Sequence, residues 1–154
     1  MTTTFPSTST TTDATSSTTE ATARPFWLVL GLSGLVAACA TTALVAGAKA
    51  VDIPMVAGPR NDAAGKVIPT AGFFSGTLMF TVIGLLIAAA IVRWAKNPSR
   101  TWTITTVVLT AVSFAGPATT GHASLATHVV LYGTHVLGAA IVIPVVARSL
   151  AARH

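Results

Sequence analysis

Three side chains near the end of the chain, His128, Tyr132 and His135, recur at i, i+4 and i+7. That spacing puts them on one face of a helix. Imidazoles so placed could ligate a haem iron, line a ligand pocket or form part of a polar path. A second set, Thr103, Thr106, Thr110 and Ser113, recurs at i, i+3, i+7 and i+10, which aligns four hydroxyls on one face. In an apolar setting such hydroxyls hydrogen-bond between helices. The single cysteine, Cys39, excludes an intrachain disulfide and a Cys-x-x-Cys redox pair. No catalytic, metal-binding or nucleotide-binding motif stands out. The expectation is a non-enzymatic protein with no cofactor, with haem or ligand binding by His128 and His135 as the alternative.

The segments that carry these residues are blocks of apolar residues. The chain has 154 residues, 52% hydrophobic and 8% charged, against about 25% charged in a soluble domain. Four blocks have the length and character of membrane spans: about 26–48, 70–92, 101–116 and 123–146. The third, at about 16 residues, is short for a bilayer crossing. The expected fold class is therefore all-α, a four-helix transmembrane bundle over residues 25–150. Ahead of it, residues 1–24 form a Thr/Ser-rich tail. Fifteen of the first 23 residues are Ser or Thr, so the tail is expected to be disordered for want of anything apolar to bury. Val36-Ala37-Ala38-Cys39 has the look of a lipoprotein cleavage site, but the apolar run continues past the cysteine, and the segment reads as a retained span.

Net charge is +5, yet the basic residues sit singly at the ends of apolar blocks, which points to lipid headgroups rather than nucleic acid. Arg24, Arg93, Lys96, Arg100, Arg148 and Arg153 fall on one side, and Lys49, Arg60 and Lys66 on the other. The positive-inside rule makes the six-charge side cytoplasmic, with both termini, in the plasma membrane. Trp27, Trp94 and Trp102 all fall at that side, where indole anchors at the headgroup boundary. No Asp, Glu, Lys or Arg lies within a span, which disfavours an ion-coupled transporter.

Inside the spans, the short link around Pro117 to His122 makes spans three and four an antiparallel hairpin. Centred there, it is expected to bring Thr110 and Ser113 near His128, and Thr103 and Thr106 near His135. A charged imidazolium at mid-bilayer would be costly, so His135 is expected to be neutral. Histidines on one face cannot clasp a single haem from both sides, and no other span holds a histidine; a second copy would have to supply one. Gly72-Phe73-Phe74-Ser75-Gly76 is a Gly-x-x-x-Gly, suited to close helix packing within the chain or to homo-oligomer formation. Ser33, Gly34, Ala38 and Thr42 give span one a similar small face.

From the middle turn onward three features occur in order: Arg100-Thr101-Trp102-Thr103, Ser113-Phe114-Ala115-Gly116-Pro117, and His135 followed nine residues later by Pro144 in Ile143-Pro144. In these the chain resembles a family of uncharacterised four-helix membrane proteins of actinobacteria, classed as a domain of unknown function. The first half is similar in layout, with Val51-Asp52 opening the outer loop. The resemblance spans roughly residues 25–150, implies four spans, singles out His135 over His128 and His122, and implies no activity. The charge count predicts that a reporter active only outside the cytoplasm stays silent when fused after His154 and is active when inserted near Gly58. Activity at the C-terminus would mean an odd number of crossings.

Overall fold

A computed structural model describes residues 25–61 and 64–153; the Thr/Ser tail lies outside the described residues. The elements are α1 (Phe26–Ala50), β1 (Val56–Ala57), β2 (Lys66–Val67), α2 (Thr70–Trp94), α3 (Pro98–Ser113), α4 (Ala115–Thr119) and α5 (Leu125–Ala151). Four helical stretches are long and apolar enough to cross a membrane: α1, α2, α3 with α4, and α5.

The third stretch is longer than the sequence suggested, 22 residues from Pro98 to Thr119, or about 33 Å at 1.5 Å per residue. It starts early because Asn97 caps it, its side chain accepting from the Arg100 N–H at 3.3 Å, with Pro98 at the first helical position where its missing N–H costs nothing. It continues past Gly116 because Pro117 interrupts rather than ends it. Pro117 has no N–H for the Ser113 carbonyl, the chain steps at Phe114, and α4 resumes with the Ala118 N–H on the Phe114 carbonyl at 3.0 Å. Helix α5 begins at its own cap, Ser124, which accepts from the Thr127 N–H at 3.1 Å.

Helices α1 and α5 form the central pair; α2 flanks α1, and α3 flanks α5. Both described ends of the chain lie together, with the Arg153 guanidinium 5.3 Å above the Phe26 ring. At this termini end, Leu30, Ala88, Ile91, Trp102, Val146 and Leu150 form one apolar core. Trp102 joins α3 to α2 and α5: it is 1% exposed, and its indole N–H donates to the Ile143 carbonyl at 3.3 Å. That overturns its reading as a headgroup anchor, because its N–H is taken by protein. Trp27 and Trp94 remain on the surface, 52% and 79% exposed.

The opposite, loop end has a second core of Val45, Ala48, Met55, Val130 and Leu131. Here the connection between α1 and α2 folds down as a lid. Helix α1 closes with a paired turn, Ile53 N–H to Ala48 carbonyl and Asp52 N–H to Lys49 carbonyl, both 3.1 Å. Asp52 takes the left-handed conformation, φ 58°, that such a cap requires. The loop then pairs β1 with β2 antiparallel, Val56 opposite Val67, a small sheet absent from the all-helical expectation. Bonds that fix the lid include Thr127 hydroxyl to Pro54 carbonyl at 2.6 Å, Lys49 ammonium to Ile68 carbonyl at 2.7 Å, Arg60 guanidinium to Ala118 carbonyl at 3.0 Å, and Gly121 N–H to Gly58 carbonyl at 2.8 Å. Gly121 must be glycine, since a Cβ there would lie 2.9 Å from Arg60 Cα.

Along α1 the small face does pack. Ser33, Gly34, Ala37, Ala38 and Thr41 are buried, while Thr42 is half-buried and bonds back to the Ala38 carbonyl. Thr41 and Thr77 share a hydroxyl contact of 3.3 Å between α1 and α2. A Cβ on Gly34 would stand 2.9 Å from Thr81 Cβ and collide with its methyl. Gly34→Ala should therefore lower stability by about 1–3 kcal/mol through overpacking. Gly31→Ala, where a Cβ meets nothing within 4 Å, should be neutral or slightly stabilising. Unfolding of both in mixed detergent micelles checks this, and equal behaviour would refute close approach at Gly34.

Candidate functional site

The intramembrane polar residues lie where α3 meets α5. Helix α5 turns Tyr132 and His135 toward the end of α3, while His128 bonds back to its own helix cap at Ser124. Ser99 reaches the Ala147 carbonyl at 2.9 Å and Trp102 the Ile143 carbonyl, which fixes the register of the two helices. The turn is centred near Ala123, later than the Pro117 to His122 link suggested, because α4 extends the third span. The register shifts with it. Ser113, not Thr103 or Thr106, is the partner of His135, at 2.9 Å from Oγ to Nδ1, and neither Thr110 nor Ser113 reaches His128.

The four hydroxyls of α3 do not form the interhelical ladder their spacing suggested. Thr103 donates to the Ser99 carbonyl at 3.0 Å, Thr106 to Trp102 at 2.7 Å, Thr110 to Thr106 at 2.8 Å and Ser113 to Thr110 at 2.7 Å. Back-bonding satisfies each hydroxyl on its own helix, which threonine and serine do readily in apolar surroundings. Ser113 alone also crosses to α5. Its one hydrogen is on the Thr110 carbonyl, so its oxygen accepts, and His135 Nδ1 is the donor. Its Nε2 has no partner among the described residues, and in the neutral ring expected from the sequence that atom is an acceptor.

His128 donates from the same nitrogen. Its Nδ1 lies 3.0 Å from the Ser124 carbonyl, which can only accept, so Nδ1 carries a hydrogen. Aromatic edges frame His135: Phe114 meets it at 6.1 Å and 89°, and meets Tyr132 at 5.4 Å and 80°. The Tyr132 hydroxyl makes no hydrogen bond among the described residues. Phe114 holds this position because the break at Pro117 turns it inward, a role that sequence reasoning missed although the proline signalled it. Thr127, fully buried on the Pro54 carbonyl, was missed too.

Among the described residues, Gly72 and Gly76 make no close helix–helix approach. A Cβ on Gly72 would meet only the Pro69 ring, at 3.6 Å, and one on Gly76 would meet nothing within 4 Å. The intrachain packing role foreseen for them is replaced on α1 by Gly34.

The His135 geometry predicts its tautomer. In nitrogen-15 spectra of the protein in detergent or lipid, His135 should be the Nδ1–H form, and Ser113→Ala should perturb it. An Nε2–H ring in the wild-type protein would reverse the assignment. His135→Leu, which leaves Ser113 bonded to Thr110, should cost at most about 1–2 kcal/mol.

No curated protein and no solved structure matches the chain. One family model does, across residues 21–152, which takes in every helix, the lid and the His135 site. With nearly the whole chain covered and the four apolar helices in place, the chain belongs to a family of unknown function, DUF6069.

Proposed function

We propose that this small polytopic protein is non-enzymatic, resides in the plasma membrane with both termini cytoplasmic, and works through helix contacts as a membrane-assembly subunit, first of all with a second copy of itself. The observation that carries the reading is the unused Gly72 and Gly76 pair. Small residues at that spacing let two helix backbones approach, and on α2 they border open surface. Around them Met79, Phe80 and Ile83 are exposed, at 57%, 66% and 42%. The sidedness is supported by the six-to-three distribution of basic residues and by exposed Trp27 and Trp94 at the termini end.

A second reading is favoured by the open Nε2 of His135 and the free Tyr132 hydroxyl. Together they suit a small ligand that donates one hydrogen bond and accepts another. A purified sample with an absorbance band that vanishes in His135→Leu would favour this reading over helix contact.

The helix-contact reading is tested by energy transfer between labelled chains in liposomes over a range of protein-to-lipid ratios. The wild-type protein should self-associate, and Gly76→Leu should weaken association by about tenfold or more, a loss of about 1.4 kcal/mol, with helix content unchanged. A wild-type chain that stays monomeric at every ratio, or a Gly76→Leu variant that associates normally, would overturn it.

A further inference from the structure

The two ends of the bundle differ in charge. Among the described residues, the termini end carries Arg93, Lys96, Arg100, Arg148 and Arg153 and no carboxylate; the described carboxylate, Asp52, lies at the loop end. Exposed Trp94, next to the α2–α3 turn, sets this end at headgroup level. Between that turn and the last turn of α5 lies an open cleft of about 410 Å³, lined by Lys96, Asn97, Ser99 and Arg100 over Leu150.

Its walls are fixed. Pro98 is buried, and the Ser99 hydroxyl is committed to the Ala147 carbonyl at 2.9 Å, which clamps the start of α3 onto α5. The Asn97 carbonyl oxygen accepts from the Arg100 N–H at 3.3 Å, so its amide NH2 is left to donate. The cleft thus presents an ammonium, a guanidinium and an amide, all donors, two of them charged. Away from the cleft, α3 exposes Ile104, Val107 and Val108, at 55%, 53% and 55%, a surface for an acyl chain.

We propose that this cleft is a binding site for the phosphate of an anionic phospholipid. A free phosphate would satisfy the donors and leave the apolar flank unused. A zwitterionic lipid would bring an ammonium toward Lys96 and Arg100. A net-negative phosphodiester with acyl chains meets both the charge and the flank. The site is independent of the self-association proposed above, since each chain carries a complete cleft.

Native mass spectrometry of the full chain, released from neutral detergent after addition of phosphatidylglycerol, phosphatidylcholine or inorganic phosphate, reads the site directly. Phosphatidylglycerol should give one retained adduct per chain and phosphatidylcholine none. Lys96→Gln and Arg100→Gln should each weaken that adduct about fivefold, the effect of one headgroup-level cation, and Lys66→Gln at the loop end should leave it unchanged. Melting of each variant in lipid-free detergent checks that the fold is kept, as expected for exposed side chains. Equal retention of phosphatidylcholine, or equal loss in Lys66→Gln, would overturn the site. Displacement of the lipid by millimolar inorganic phosphate would replace the lipid with a soluble anion.

Discussion

Inside a bilayer there is no water to take a hydrogen bond, so every polar group carried into a span must find its partner within the protein. The polar groups of α3 meet that constraint in two ways, within their own helix and across to α5. The hydroxyls of Thr103, Thr106 and Thr110 bond to carbonyls one turn back. The Trp102 indole reaches the Ile143 carbonyl. Ser113, its hydrogen already used, accepts the hydrogen bond of His135 Nδ1–H. Among the described residues of this interface, His135 Nε2 and the Tyr132 hydroxyl are left for something that comes from outside the chain.

A related constraint explains why the described part of the loop between α1 and α2 packs on the bundle. The end of α1 and the start of α5 would otherwise leave Val45, Val130 and Leu131 open to the headgroup region. Met55 fills that space, and Thr127 and Lys49 bond the loop's carbonyls at Pro54 and Ile68. The termini end differs in carrying Arg93, Arg100, Arg148 and Arg153 and the exposed Trp27 and Trp94.

Much of this was legible in the sequence, and the failures have physical causes. Block hydropathy located all four helices, because length and the lack of charge are properties of the solvent they cross. Helical periodicity put His128, Tyr132 and His135 on one face, and the structure keeps them there. The register between α3 and α5 was not legible. It depended on whether Gly116-Pro117 ended the helix or bent it, and a proline does either. Trp102 was misread because an indole at a span boundary can turn toward headgroups or toward the core, and only the neighbours Ala88, Ile91 and Val146 decide. Gly34 and Gly76 look alike in sequence; the difference lies in Thr81, which fills the space opposite one and has no counterpart opposite the other. The lid had a short signal of its own, Ile53 and Met55 two residues apart amid turn residues.

The back-bonded hydroxyls of α3 also bear on how the chain is made. During synthesis α3 leaves the ribosome before α5 exists. A helix whose polar stripe depended on α5 would have to wait for it beside the translocon. Helix α3 arrives with Thr103, Thr106 and Thr110 already satisfied, so it can move sideways into lipid on its own. Two donors still await α5, the Ser99 hydroxyl and the Trp102 indole, and both lie near the headgroup level where water can hold them meanwhile. The helix is thereby suited to co-translational release one span at a time, with docking onto α5 as a later and separate event.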